Sequence, residues 1–295
     1  MGYNHEMNEP LTPGKLLSLS RPYQLVQSAL YYTLGLALND YFGKPADWPA
    51  FFLGLGCVWS LQLTLVYLDF YFSRLRKQPG DMQNLQKLMF AAFTALIAGA
   101  AMTTFLYGQG NLSMELFVLL GAGLFLAVAF SVPPFNLARR GFGELIQACL
   151  VCVLAPAIGY LLQSGTFHSL LNLSTFPLVA FYVAGQIARN LPNMAEDIQQ
   201  DNQNLITLLG WQRAMQLHNL CVLGGFLLLG LAIAGGLPWH VSWTVFLVLP
   251  VGLGQIWLMQ QIGDGAKPNW KMLSLLAEAL ILLPVYLLAF GYFIG

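Results

Sequence analysis

Hydrophobic positions along the chain come in nine long runs separated by short polar connections. The runs cover roughly 22–39, 49–72, 87–107, 114–134, 143–163, 172–190, 214–236, 238–262 and 272–294. Each approaches the ~20 apolar residues that a helix needs to cross a bilayer. Backbone facing lipid must satisfy its own hydrogen bonds, so runs of this length predict helices rather than open sheet. The pattern predicts an all-α integral membrane protein of nine spans in one domain, residues 1–295. A polar segment, residues 1–20, precedes the first span and lacks the basic-then-apolar pattern of a signal peptide.

Composition sharpens this picture. Of 295 residues 57% are hydrophobic and only 9% are charged. A soluble domain carries about 25% charged residues, so this chain cannot coat a water-facing surface. The net charge of zero hides an asymmetry. Twelve of the thirteen Lys and Arg fall on the side that holds the N-terminus and the loops near 73–86, 135–142, 191–213 and 263–271, and Lys44 alone is on the other. The positive-inside rule makes the rich side cytoplasmic. Membrane lipids are the expected surroundings, and nothing points to a nucleic-acid partner. Cys149 and Cys152 form C-x-x-C inside an apolar run, where two small packing residues are the simpler reading, since structural zinc generally takes four ligands.

Candidate chemistry collects at the basic end. The stretch "NMAEDIQQD", 193–201, places Asn193, Asp197 and Asp201 four residues apart, on one face of a helix. Oxygen ligands grouped in this way suit a hard cation such as Mg²⁺. A solvated loop helix is the alternative, given the neighbouring Glu196, Gln199 and Gln200. Arg21 opens the first span, and Arg139 and Arg140 follow "SVPPF". Arginine forks together with Mg²⁺ are what a phosphate requires, although each Arg alone also satisfies topology. Glu144 lies just inside the fifth span, where pairing with Arg139, Arg140 or Arg189 would relieve its charge, and Glu278 lies within the ninth.

"FSVPPFNLARRGFGEL" (130–145) resembles the loop motif of the UbiA superfamily of intramembrane prenyltransferases. "NMAEDIQQD" resembles that family's second aspartate-rich motif and "SRPYQL" (20–25) its first-helix start. Order and spacing agree over nearly the whole chain, and "RNLPNMAEDIQQD" is most similar to the quinone-type branch. The resemblance implies nine helices around a central cavity, where two aspartate motifs hold an isoprenyl diphosphate through Mg²⁺. It implies metal ligation by Asp69, Asn193, Asp197 and Asp201, and substrate binding by Arg21, Arg139, Arg140, Arg76 and Asn190. Asp69, Asp197 and Asp201 would be the catalytic carboxylates.

The first aspartate motif departs from the family pattern. In "LDFYFSRLR" (68–76) Asp69 is retained, but Leu68, Phe72 and Arg76 stand where ligands are expected. "NQNLITLLG" (202–210) is shorter than its family counterpart and lacks a lysine. Three readings remain open. One is transfer of the prenyl group to a lipophilic aromatic acceptor, with Arg74, Arg76 or Lys77 replacing one metal cluster. The second is a UbiA-type terpene cyclase, which needs no acceptor. The third is a non-catalytic homologue that binds a lipid or a partner. For transfer, Glu144, Gln147, Gln186 and Asn190 are candidates to orient or deprotonate an acceptor, and aromatic faces such as Trp59, Tyr67, Phe70 and Tyr71 to stabilise the allylic cation.

Overall fold

The computed structural model describes residues 11–199 and 202–295. A short helix, Pro13–Leu19, precedes nine long helical segments: α1 (Pro22–Tyr41), α2 (Trp48–Lys77), α3 (Met82–Gly108), α4 (Met114–Ser131), α5 (Gly143–Ser164), α6 (Ser169–Asn190), α7 (Trp211–Ala234), α8 (Trp239–Gly263) and α9 (Trp270–Ile294). Eight of them are long and apolar enough to cross a membrane. The exception is α1, which buries the polar Gln27, Ser28 and Asn39. A helix shielded by its neighbours need not be apolar on every face.

Helix starts follow local capping chemistry. The Asp47 carboxylate accepts the Ala50 N–H at 3.0 Å to start α2, and the Ser113 hydroxyl accepts the Leu116 N–H at 3.2 Å to start α4. Asp81 caps α3 and also receives the Arg74 guanidinium from the end of α2, with Nη2 at 2.6 Å. Midway through α5 the helix widens into a π turn over Cys149–Leu154. Pro156, two residues beyond it, offers no N–H, so a wider turn absorbs the missing bond.

Packing sorts the helices into an inner and an outer set. α1 packs on α5 and α9, α2 on α3 and α4, and α6 on α7 and α9. The most apolar stretches of α5 and α6 are 78% and 67% buried, against 22% for α3 and 28% for α7. Accordingly α3 turns Phe90, Phe93 and Ile97 outward, and α7 turns out Leu220, Leu223, Leu227 and Leu231. These spacings define one face each, the signature of a lipid-facing stripe. α1 and α5 approach closely because Gly35 and Gly159 face each other's backbones, where any β-carbon would collide. That crossing draws α1 into the centre and brings its first turn over the basic end.

Candidate active site

A cavity of about 490 Å³ opens at the basic end of the bundle. α1 contributes Arg21 and Gln24, and α2 contributes Asp69 and Ser73. Arg139 comes from the connection between α4 and α5, and Glu144 and Gln147 come from the first turns of α5. α6 adds Gln186, Arg189 and Asn190, and the segment after it adds Asn193, Glu196, Asp197, Asn202 and Asn204. The wall is thus polar on almost every side, at the end of an otherwise greasy bundle.

On the α2 wall, Arg21 Nη2 lies 3.4 Å from Asp69 Oδ2, with side chains 29% and 17% exposed. Arg21 also stands over the Phe70 ring, 5.3 Å from its centroid. Its backbone occupies the left-handed region, φ 52°. For a residue with a β-carbon this costs about 1 kcal/mol. The Pro22 start of α1 and the ion pair with Asp69 hold it there. Asp69 lies eight residues inside the end of α2, about 12 Å along the helix axis. Leu68 is buried in the bundle and Phe72 packs on Tyr71, so neither offers a ligand.

The other basic residues near this wall have different surroundings. Arg74 is buried and committed to Asp81 through both Nε and Nη2, outside the cavity lining. Arg76 is exposed and also outside the lining. The structure therefore does not place Arg74 or Arg76 where a lost metal cluster would be. Burial pushes the Asp81 carboxyl up, but the hydrogen bonds from Asn84 and the Arg74 guanidinium outweigh it and hold the group below its ordinary value.

The segment after α6 is organised differently. A 3₁₀ turn, Leu191–Asn193, leads into a short helix, Met194–Gln199, which carries Asp197. Asn204 Nδ2 donates to Asp197 Oδ2 at 2.8 Å, and Asn202 Nδ2 donates to Oδ1 at 3.5 Å. Asn204 also caps the next helix, Leu205–Leu209, in a capping box with Thr207. Asn193 lines the same cavity. Asp201 lies outside the described residues.

Glu144 ties this segment to the bundle. Its buried carboxylate accepts Asn190 Nδ2 at 3.0 Å and the Leu205 N–H at 3.3 Å from both oxygens. The expected arginine partner is thus replaced by an amide and a backbone donor, and Asn190 spends its amide on Glu144. Arg189 turns instead to Glu278, with Nε 3.5 Å from Oε1, and lies over the Tyr23 ring at 4.9 Å. The 3₁₀ turn Leu137–Arg140 separates the two adjacent arginines. Arg139 donates to Ser73 Oγ at 3.3 Å inside the cavity, whereas Arg140 donates to the Pro134 carbonyl at 2.9 Å outside it.

The structure thus brings Arg21, Asp69, Arg139, Asn190, Asn193 and Asp197 into one cavity and leaves Arg76 and Arg140 out of it. Arg189, Gln24 and Ser73 were not singled out as ligands by sequence. Their signal lay in helical spacing: Ser73 is four residues after Asp69, Arg189 four before Asn193, and Gln24 three after Arg21.

The oxygen donors suit Mg²⁺ in kind. Mg²⁺ is commonly held by one or two carboxylates together with substrate phosphates and water. Among the described residues no three acidic, His or Cys side chains gather closely enough to cage an ion by themselves. The cavity instead supplies Asp69 and Asp197 as carboxylates beside Asn193, with room for a phosphate-bearing ligand.

No family model matches the chain, and no curated protein matches it by sequence. Solved structures do match. A UbiA homologue from Archaeoglobus fulgidus bound to GPP and Mg²⁺ aligns with TM-score 0.63 and 14% identity, covering 95% of this chain and 99% of that one. The homologue from the same organism bound to DMAPP and Mg²⁺ gives TM-score 0.63 and 14% identity over 92% and 98% of the two chains. A digeranylgeranylglyceryl phosphate synthase gives TM-score 0.66 and 14% identity over 95% and 98%. This chain is a multi-pass integral membrane protein with the fold of these UbiA homologues.

Proposed function

We propose that the protein ionises an isoprenyl diphosphate in a Mg²⁺-dependent reaction and transfers the prenyl group to a lipophilic aromatic acceptor. The observation that carries this reading is the cavity itself. Its lining gathers Arg21, Arg139 and Arg189 together with the oxygen-bearing side chains of Asp69, Asn193 and Asp197. Bound prenyl diphosphates and Mg²⁺ in the similar Archaeoglobus fulgidus structures support the same reading.

Each side chain then has a role. Arg21 and Arg139 bind the diphosphate and stabilise its growing negative charge as the allylic C–O bond breaks. Arg189 adds positive potential from the α6 wall. Asp69 orients Arg21 and, with Asn193, Asp197 and Asp201, would hold the metal. Mg²⁺ supplies Lewis-acid neutralisation of the leaving group. Asn202 and Asn204 fix Asp197, and Glu144 with Asn190 fixes the segment that carries them. The acceptor ring takes up the allylic cation through a new C–C bond, and its displaced proton leaves with the diphosphate or water. The basic end that carries this site would face the cytoplasm.

The test is incubation of the purified protein with C10 to C20 prenyl diphosphates and Mg²⁺, with and without aromatic acceptors, read by mass spectrometry. A prenylated acceptor is the expected product. A cyclic hydrocarbon or terpene alcohol formed without acceptor would replace transfer by cyclisation. Release of neither product nor pyrophosphate would leave a binding homologue.

A further inference from the structure

Glu278 is a carboxylate to which the reaction described above gives no role. It sits eight residues into α9, about 12 Å along the axis, within the apolar run of that helix. A charge at such a depth is costly unless it is paired. Glu278 Oε1 lies 3.5 Å from the Nε of Arg189. Arg189 lines the cavity and Glu278 does not, so the influence of Glu278 on the cavity passes through Arg189.

The pair repeats an arrangement seen on the α2 wall. Arg21 has a carboxylate at its edge, Asp69 at 3.4 Å, and a ring against its face, Phe70 at 5.3 Å. Arg189 has Glu278 at its Nε edge and the Tyr23 ring against its face at 4.9 Å. An edge contact and a face contact together orient a planar guanidinium. For Arg189 the two contacts come from α9 and α1, and all three helices are locked together nearby. The Tyr31 hydroxyl of α1 donates to the Ile281 carbonyl of α9 at 2.9 Å. Gly185 of α6 lies so close to Ile281 and the Ala277 carbonyl that a β-carbon there would collide. Glu278 is one turn from Ile281 and Arg189 one turn from Gly185, so this close approach sets the register of the pair.

A purely structural ion pair looks different in this molecule. Arg74 is committed to Asp81 through both Nε and Nη2 and lies outside the cavity lining. Arg189 is engaged at its Nε edge, and among the described residues its buried Nη1 has no hydrogen-bond partner. Glu278 thus steadies the guanidinium without consuming it.

We infer that Glu278 is a positioning residue, which holds Arg189 as a diphosphate-binding guanidinium beside Arg21 and Arg139. The inference rests on the diphosphate-binding half of the reading above and stands whether the prenyl group is transferred or cyclised. It adds a carboxylate on α9, outside every motif of the sequence, to the machinery of the site.

The test uses the full chain in nanodiscs with Mg²⁺ and geranyl S-thiolodiphosphate, which resists ionisation. Calorimetric titration gives affinity and binding stoichiometry separately. Arg189→Gln is expected to weaken binding about tenfold, the size of one charge-assisted contact. Glu278→Leu and the near-isosteric Glu278→Gln are each expected to weaken it about fivefold at unchanged stoichiometry. In the Arg189→Gln background neither should cost more than about 1.5-fold, because a residue acting through Arg189 has nothing left to position. Should the leucine variant fail to fold, the glutamine variant carries the same test. An Arg189→Gln or Glu278→Gln protein that binds as the wild type does would overturn the inference. So would an equal loss in both backgrounds, or a lower stoichiometry at unchanged affinity, since structural damage removes competent molecules without weakening the rest. Wild-type protein that fails to bind thiolodiphosphate with Mg²⁺ would remove the diphosphate reading itself, and the inference with it.

Discussion

The two walls of the cavity solve opposite electrostatic problems. On the α2 wall a single carboxylate, Asp69, faces a guanidinium, Arg21, and the neighbouring Leu68 and Phe72 contribute no oxygen. On the α6 side a carboxylate, Asp197, is surrounded by amide donors from Asn202 and Asn204, with Asn193 lining the same wall. A guanidinium beside a carboxylate presents positive charge to an anion without needing a metal. A carboxylate steadied by neutral amides keeps its negative charge available for a cation. The comparison teaches that a degenerate first motif need not mean a lost site. In the proposed reading the α2 wall takes the anion-binding side, and the α6 side takes most of the metal-binding duty.

The largest effect should come from the α6 side. Asp197→Ala is expected to lower turnover by more than about 100-fold while folding is retained, because neutral donors cannot replace a metal-held carboxylate. The check is pyrophosphate release alongside a melting curve, and unchanged turnover would break the division of labour. On the α2 wall, Arg21→Gln should weaken prenyl diphosphate binding about tenfold, the size expected for one charge-assisted contact. Titration of the variant over Mg²⁺ concentration sharpens the contrast. Arg21→Gln should leave the Mg²⁺ requirement in place, whereas Asp197→Ala should abolish it.

Smaller effects separate structural cations from functional ones. Arg74→Ala should lower stability by about 2 kcal/mol, short of a fully buried pair because Asp81 is partly exposed. Thermal unfolding reads that loss, with substrate affinity unchanged. The same pair predicts a pH effect. Asp81 is held below its ordinary value of 3.8, so its contribution is complete above that value and is lost as pH falls through the lower folded value. Asp81→Asn should flatten this acid limb. The smallest effect is expected for Arg140→Ala, within about twofold of wild-type turnover, because Arg140 serves the Pro134 carbonyl outside the cavity.

The helices were legible because lipid imposes one simple rule, and every run from Trp48 onward obeys it. α1 was legible as a span but not as the polar, central helix it is, since its neighbours supply the shielding that hydropathy cannot register. Within the site, the four-residue spacing of Asn193, Asp197 and Asp201 was readable from helical periodicity, and Asp69 came only from the family resemblance; Asn193 and Asp197 line the cavity with Asp69, and Asp201 lies outside the described residues. The roles of Arg139 and Arg140 were not. A 3₁₀ turn points adjacent side chains in different directions, and only the backbone path through Asn136 decides which one enters the cavity. Glu144 looked like half of an ion pair, yet the chain after α6 folds back to present the Leu205 N–H, a long-range contact that spacing does not encode.

The central claim is that this cavity draws pyrophosphate from a prenyl diphosphate with the help of a divalent ion. The most direct measurement is pyrophosphate release from geranyl diphosphate by the protein in nanodiscs, in the presence of an aromatic acceptor, with Mg²⁺ and then with EDTA. The account predicts release with Mg²⁺, its disappearance on chelation and its recovery when Mg²⁺ is restored. Release that persists unchanged in EDTA, or none under either condition, would contradict it.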